Sequence, residues 1–185
     1  QVLDFSGQRN FCNVAPAFYL SEIQDLRDIL GKVRQIVPKQ QYRAVASAVV
    51  EELGRFNALH LRQGDFLKND HPFDIRDPET LVANARSLFS ADETLVICTD
   101  QEDSPNLAEL VKHYSSTVML SSFILEHPRL LTLYQELPFQ DDAVLGLICQ
   151  MVCEYAQTFA GSLRSTFTNY LHRARGEEDM LYINS

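Results

Sequence analysis

Short apolar runs alternate with longer amphipathic stretches along this chain, and that alternation limits the folds open to it. We predict strands at residues 56–61, 95–98, 117–120, 157–160 and 180–183. Apolar residues recur with the period of a helix at residues 21–37, 38–53, 78–89, 105–113, 142–155 and 165–175, and the pattern is less regular at residues 121–140. Strands joined through helices need crossover connections, which place the strands parallel. The pattern predicts an α/β fold with a Rossmann-like, mainly parallel sheet and helices on both faces.

Residues suited to helix ends mark several of the predicted boundaries. Asp77 and Ser104 each precede a proline, and a capping residue followed by Pro in the first helical position is a typical helix start. Asp141 and Asp142 would place negative charge at the positive end of a helix dipole. Gly54 suits the stop after the second helix. The helix predictions therefore rest on end signals as well as on periodicity.

Composition restricts the size of the fold and the partners it suits. At 185 residues, 45% hydrophobic, the chain is predicted to form one α/β domain over residues 1–185, with residues 1–41 as a helical lead-in. The net charge of -9 argues against nonspecific binding to nucleic acid or to an anionic membrane surface. No apolar run is long enough for a membrane span, so none is expected. Any anion site must be a local exception to the overall charge.

The cysteines and the main acidic cluster do not predict a metal site. Cys98, Cys149 and Cys153 lie in apolar runs and Cys12 stands apart, without the C-x-x-C spacing of metal ligands. We expect the first three to be small buried hydrophobic residues. The acidic stretch at 100–103 is interpreted as a solvated turn.

The first polar segment that could bind a ligand lies at the end of the strand predicted at 56–61. Arg62 has a planar guanidinium that can contact two phosphate oxygens at once, and His60 lies two residues earlier on the same strand face. Ligands of open parallel sheets bind outside the carboxyl ends of the strands. Asp65 would then orient Arg62 or the loop. The alternative is a structural one, in which Arg62 forms a strand-end salt bridge with an Asp and His60 belongs to the core.

The second segment spans residues 159–168, where a strand, a turn containing Gly161 and a helix start follow each other. The unpaired N–H groups of a first helical turn bind phosphate, and the hydroxyls of Ser165 and Thr166 would add donors. Neither a P-loop nor a G-x-G-x-x-G motif is present. The alternative interpretation is an ordinary Ser or Thr helix cap.

The order of these motifs resembles that of the GDP-fucose protein O-fucosyltransferase family and the wider fucosyltransferase superfamily, over about residues 42–176. The segments that carry the resemblance are HLRQGDF at 60–66, ICTD at 97–100, FAG at 159–161, STFT at 165–168 and HRARG at 172–176.

The resemblance implies the C-terminal, donor-binding half of a two-domain GT-B glycosyltransferase. It implies inverting transfer of fucose from GDP-fucose to a hydroxyl of a protein or glycan acceptor, with no metal or other cofactor required. Arg62 would be the catalytic residue, contacting the diphosphate of the donor, and Asp65 and Asp100 would orient it. The residues that the resemblance assigns to donor binding are His60, Arg62, Ser165, Thr166 and Phe167.

One position departs from the family pattern. The family typically has an Asp that reads the guanine 16 residues before the Ser of its helix start, and this chain has Cys149 there. Asp141 or Asp142 could take its place if the start of that helix lies near the base. The chain is also about half as long as a two-domain enzyme, and because it begins at Gln1 without a Met we expect it to be part of a longer protein or to have been processed.

Two other hypotheses fit the sequence. The chain could be a non-catalytic nucleotide-sugar-binding module of the same fold, which the departure at Cys149 and the missing acceptor half would favour. It could also be an unrelated α/β domain that matches the motifs by chance.

Overall fold

The computed structural model describes residues 38–64, 77–163, 165–176 and 181–184. The chain divides after Lys39, and every element described below belongs to the compact unit Gln40–Ser185. The helices are α1 (Gln40–Leu53), α2 (Pro78–Leu88), α3 (Pro105–Val111), α4 (Leu120–Glu126), α5 (Pro128–Gln135), α6 (Asp142–Cys153) and α7 (Thr166–Arg175). The strands are β1 (Asn57–Leu61), β2 (Leu95–Thr99), β3 (Thr117–Met119) and β4 (Phe159–Gly161).

The four strands form one parallel sheet in the order β3-β2-β1-β4. From β1 the chain moves outward through β2 to β3, and then crosses back through α4, α5 and α6 to add β4 on the other side of β1. The strand order thus reverses between β1 and β4. The carboxyl ends of strands at such a reversal border the crevice in which open α/β sheets bind ligands. The predicted α/β class with a parallel, Rossmann-like sheet is confirmed.

Side chains that alternate along the strands build a core on each face of the sheet. Ala58 and Val96 belong to the core formed with α1, α4, α5, α6 and α7. Leu59 and Ile97 belong to the other core, formed with α2 and α3. Both faces are covered, which is why the strands read as continuous apolar runs in the sequence.

The predicted helix starts are confirmed by their caps. Asp77 accepts a hydrogen bond from the backbone N–H of Thr80, and Ser104 accepts one from that of Leu107. Asp141 does the same for Val144 at the start of α6. The predicted burial of Cys98, Cys149 and Cys153 is confirmed, and all three are free thiols.

One prediction about regular structure is wrong, and the stretch with the less regular pattern is helical. Residues 121–140 contain most of α4 and all of α5, two short helices whose starts have no side-chain cap and therefore gave no capping signal in the sequence. The strand predicted at 180–183 is reduced in the described residues to one parallel bridge between Tyr182 and Gly161. The predicted helix at 21–37 lies outside the described residues, as do Cys12 and Asp65. No described helix is both long and apolar enough to cross a bilayer.

Candidate functional site

A cavity of about 500 Å³ opens beside the carboxyl ends of β1 and β2. Its walls are formed by residues that follow or end these strands and by residues of α4, α6 and the first turn of α7. The volume lies within the range of small-molecule sites in proteins. Of the residues predicted for donor binding or orientation, four line it, namely His60, Arg62, Asp100 and Phe167.

The backbone around Arg62 is held by the loop that follows β4. The backbone N–H of Arg62 donates to the hydroxyl of Ser162 at 2.9 Å, and the N–H of Ser162 donates to the carbonyl of His60 at 2.9 Å. These two bonds continue the β1–β4 pairing past the strand ends. They join the two predicted segments, which lie about a hundred residues apart in sequence, at the reversal of strand order.

Asp100 fixes the turn after β1 and contacts the guanidinium of Arg62. Its Oδ1 accepts from the N–H of Gln63 at 2.8 Å, and its Oδ2 accepts from the N–H of Gly64 at 3.0 Å. The same Oδ2 lies 3.1 Å from Nη1 of Arg62. A Cβ at position 64 would lie 2.7 Å from Oδ2, so a larger residue there would displace the carboxylate from this position.

The acidic stretch at 100–103 is an exposed turn at Asp100, Glu102 and Asp103, as expected. The side chain of Asp100 is nevertheless only 23% exposed, because it serves two backbone N–H groups and one guanidinium. Asp100 makes the orienting contact predicted for it, and the role predicted for Asp65 stays a prediction because Asp65 lies outside the described residues. The strand-end salt bridge of the structural alternative does form, but both of its partners line the cavity.

His60 is a buried, neutral imidazole at the cavity wall. Burial lowers its pKa to about 3, an effect that the negative charge of Asp100 opposes and the positive charge of Arg62 reinforces. The ring stacks on that of Phe167, with centroids 4.2 Å apart and planes inclined by 13°. Its Nδ1 lies 2.9 Å from the hydroxyl oxygen of Thr168. His60 therefore holds the first turn of α7 in place, and it does not supply positive charge at neutral pH.

Helix α7 packs very closely against β4. A Cβ at Gly161 would lie 2.4 Å from Oγ1 and 2.7 Å from Cγ2 of Thr168, whose side chain is fully buried. Such distances are far inside van der Waals contact, so the helix reaches this position only because residue 161 lacks a side chain. The close packing places Thr168 against His60, which is paired with Gly161 across the sheet.

The start of α7 is not capped by a side chain. Ser165 occupies the N-cap position but makes no capping hydrogen bond, so the helix-cap alternative is wrong. The first-turn N–H groups therefore lack the side-chain acceptor that Asp77, Ser104 and Asp141 provide in α2, α3 and α6. An uncapped helix start with its dipole behind it favours an anion.

The hydroxyl residues of this helix start are not together in the cavity. Thr166 lines a groove of about 350 Å³ between α6 and α7, and Phe167 lines both this groove and the main cavity. Ser165 is buried and is not among the lining residues of either. The structure thus brings Phe167 to the cavity but does not bring the two hydroxyls there.

The position that departs from the family pattern faces the cavity. Cys149 lines it, with Sγ 3.8 Å from the hydroxyl oxygen of Ser121. A hydrogen bond with the Cys98 thiol, and then burial, raise the pKa of Cys149 well above its usual value, so the group stays a neutral thiol. Asp141 is used as the cap of α6, whereas Asp142 lines the cavity.

Four residues that shape the site were missed in the sequence. Glu102 adds a carboxylate to the cavity, and Ser162 and Thr168 hold Arg62 and His60. The side-chain oxygen of Gln63 accepts a hydrogen bond from the cap residue of α3. The position of Ser162, just after β4, was the one available signal, since polar residues at strand ends form such sites. Within the described residues, no group of three metal-ligating side chains is found.

No protein-family model matches this chain, and no curated protein matches it in sequence.

Proposed function

We propose that this chain is the donor-binding half of an inverting glycosyltransferase, which transfers fucose from GDP-fucose to a hydroxyl of a protein or glycan acceptor. One observation carries the proposal: Arg62, the neutral His60 and Phe167, in the uncapped first turn of α7, line one cavity where the strand order reverses. A guanidinium and a free helix start are both preferred partners of phosphate oxygens. Together they suit a diphosphate.

Arg62 would act on the leaving group of the transfer. The oxygen of the acceptor hydroxyl bonds to C1 of fucose as the bond between C1 and the β-phosphate oxygen breaks, the hydroxyl proton passes to a base, and GDP leaves. Negative charge grows on the β-phosphate as that bond lengthens. A guanidinium held by Asp100 at 3.1 Å is already oriented when this charge develops, and such preorganised charge lowers the barrier.

The acidic side chains of the cavity support guanine as the base. Glu102 and Asp142 line the cavity together with Asp100, so its walls carry three carboxylates and one guanidinium. A carboxylate accepts two hydrogen bonds from the adjacent N1–H and N2–H groups of guanine, whereas uracil offers one N–H between two carbonyls. We assign recognition of the guanine ring to Asp142, which would replace the Asp that the family has at the position of Cys149.

The test is a thermal shift with GDP, GDP-fucose, UDP and ADP. A ligand at 100 times its dissociation constant stabilises by about 2.7 kcal/mol, which corresponds to roughly 5–10 °C for a chain of this size. We expect the guanine nucleotides to raise the melting temperature and UDP and ADP to have little effect. If no guanine nucleotide shifts the melt of the folded protein, the proposal fails.

Matched variants tie the shift to the cavity. Arg62→Ala should abolish it, whereas Arg129→Ala should retain it, because Arg129 is also ion-paired but contacts Glu51 and Glu52 on α1. Asp142→Asn should reduce the preference for GDP over ADP while leaving the size of the side chain unchanged. Retention of the GDP shift in Arg62→Ala would contradict the role of Arg62.

The second candidate is a non-catalytic nucleotide-sugar-binding module of the same fold. It is favoured by His60, whose pKa of about 3 makes it unsuited to accept the hydroxyl proton, and the described cavity walls contain no second imidazole. Release of GDP from GDP-fucose in the presence of hydroxyl acceptors separates the two candidates. Binding without GDP release would favour the module.

A further inference from the structure

The hydroxyl of Thr168 and the ring of His60 form a buried pair whose proton arrangement can be worked out. Oγ1 of Thr168 lies 2.9 Å from Nδ1 of His60, and Thr168 is fully buried. Either atom could donate, because a neutral imidazole carries its proton on one ring nitrogen or on the other. The direction of this bond decides what the other nitrogen offers to the cavity.

The hydroxyl determines the direction. Within the described residues, Nδ1 of His60 is the one acceptor in hydrogen-bond contact with the Thr168 hydroxyl. If Nδ1 carried the proton, the hydroxyl hydrogen of Thr168 would be buried without an acceptor, which is energetically unfavourable. If the hydroxyl donates to Nδ1, the hydroxyl proton is hydrogen-bonded and the ring proton lies on Nε2. Both protons are then satisfied, provided that Nε2–H reaches an acceptor elsewhere.

The second nitrogen of His60 is at the cavity. The residue lines the cavity wall, and Nε2 is not among the buried polar atoms left without a partner in the described part of the chain. Stacking on Phe167 fixes the plane of the ring and therefore the direction of Nε2. An N–H at Nε2 is thus available to a ligand.

We propose that Thr168 is a positioning residue: its hydroxyl donates to Nδ1 of His60, fixes the Nε2–H tautomer, and so makes His60 a neutral N–H donor to a phosphate oxygen in the cavity. The opposite tautomer would present a lone pair, which repels a phosphate oxygen. The low pKa of His60 agrees with a donor that acts without a positive charge. The phosphate ligand follows from the proposed function, whereas the tautomer is inferred from the contacts of His60 alone.

The test of the tautomer needs no ligand. The full chain is labelled with ¹⁵N in its histidines, and ring-nitrogen NMR at neutral pH identifies which nitrogen of His60 is protonated, with His60→Gln used to assign the signals. We expect a protonated Nε2 and an unprotonated Nδ1. We also expect Thr168→Ser to keep this pattern and Thr168→Val, which has a similar shape but no hydroxyl, to show a substantial fraction of the Nδ1–H form.

A protonated Nδ1 in the wild-type protein would overturn the proposal. So would an unchanged tautomer in a Thr168→Val protein that is folded by circular dichroism. Thr168→Ser is the control for packing, since it removes one methyl group and retains the hydroxyl.

The ligand is tested with GDP and with inorganic pyrophosphate. We expect both to shift the Nε2–H signals, and we expect Thr168→Val to weaken GDP binding roughly tenfold, as the loss of one hydrogen bond to a charged group predicts. GDP binding that leaves Nε2–H unmoved would overturn the donor role while sparing the proposed function. If neither probe binds and the Nε2–H tautomer is observed, the proposed function and the phosphate contact fail together, and the tautomer assignment remains.

Discussion

At the scale of single residues, His60 shows how burial decides the charge of a site. The sequence places His60 and Arg62 as a pair that could converge on an anion, and both do line one cavity. They contribute differently, because Arg62 is 39% exposed and charged whereas His60 is 5% exposed and neutral. Local positive charge thus comes from Arg62, and the imidazole contributes packing and hydrogen bonds.

The depressed pKa of His60 predicts that acid destabilises the fold. The unfolded chain binds a proton at this residue below its ordinary pKa of 6.5, whereas the folded protein does so only near pH 3. The stabilising contribution is therefore complete above pH 6.5 and decreases as the pH falls toward 3, by roughly 1 kcal/mol per pH unit. Arg62 and Asp100 are the charged groups that act on the ring. Urea unfolding between pH 6.5 and 5 measures the slope.

Two variants control this measurement. His60→Gln does not titrate, so its unfolding free energy should depend less steeply on pH than that of the wild type. His113→Gln removes an exposed histidine and should leave most of the slope in place. Equal slopes in the wild type and in His60→Gln would show that His60 is not a buried neutral group.

At the scale of elements, α6 is positioned from both ends. Its start is capped by Asp141, and its carbonyl end is held by Arg175 of α7. Nη1 of Arg175 donates to the carbonyls of Glu154 at 3.0 Å and Ala156 at 2.7 Å. A guanidinium suits this end because the dipole is negative there and the last carbonyls have no intrahelical partner. The HRARG segment at 172–176 thus contributes at least one structural residue.

Arg175→Ala should therefore destabilise the protein by about 1–3 kcal/mol, the usual range for lost hydrogen bonds to a charged group. The measurement is urea unfolding at pH 7. Arg43→Ala, on the exposed face of α1, is the matched control and should change the unfolding free energy by less than about 0.5 kcal/mol. Equal effects of the two substitutions would contradict the capping role.

At the scale of the whole molecule, β1 is the centre of the described fold. It pairs with β2 on one side and β4 on the other, all five of its residues are buried, and its side chains enter both cores. Strand β3 lies at the edge and its residues are only partly buried. The site is therefore attached to the end of the most protected strand.

This arrangement predicts the order of amide hydrogen exchange. The hydrogen-bonded amides of β1 and β2 should exchange only through global unfolding, whereas those of β3 should exchange faster through local opening. Native-state exchange followed by NMR over a series of low urea concentrations measures both. Exchange from β3 that is as slow as exchange from β1 would place the stable centre elsewhere.

The sequence by itself determined the parallel α/β class, the capped starts of α2, α3 and α6, and the burial of the three thiols. These features follow from apolar periodicity and from end signals, which are local. It also located Arg62, because a polar residue at a strand end can be found without knowing the sheet order, whereas Phe167 was predicted from the family resemblance.

Only the tertiary structure decided which of these residues meet. The reversal of strand order between β1 and β4 brings Ser162 to Arg62, and the close packing of α7 on Gly161 brings Thr168 to His60. Asp100, whose orienting role the family resemblance had implied, lies 3.1 Å from Arg62 because the strands that precede them, β1 and β2, pair in the sheet. Such contacts join residues far apart in the chain, and they depend on strand order and helix distance, which no local pattern specifies.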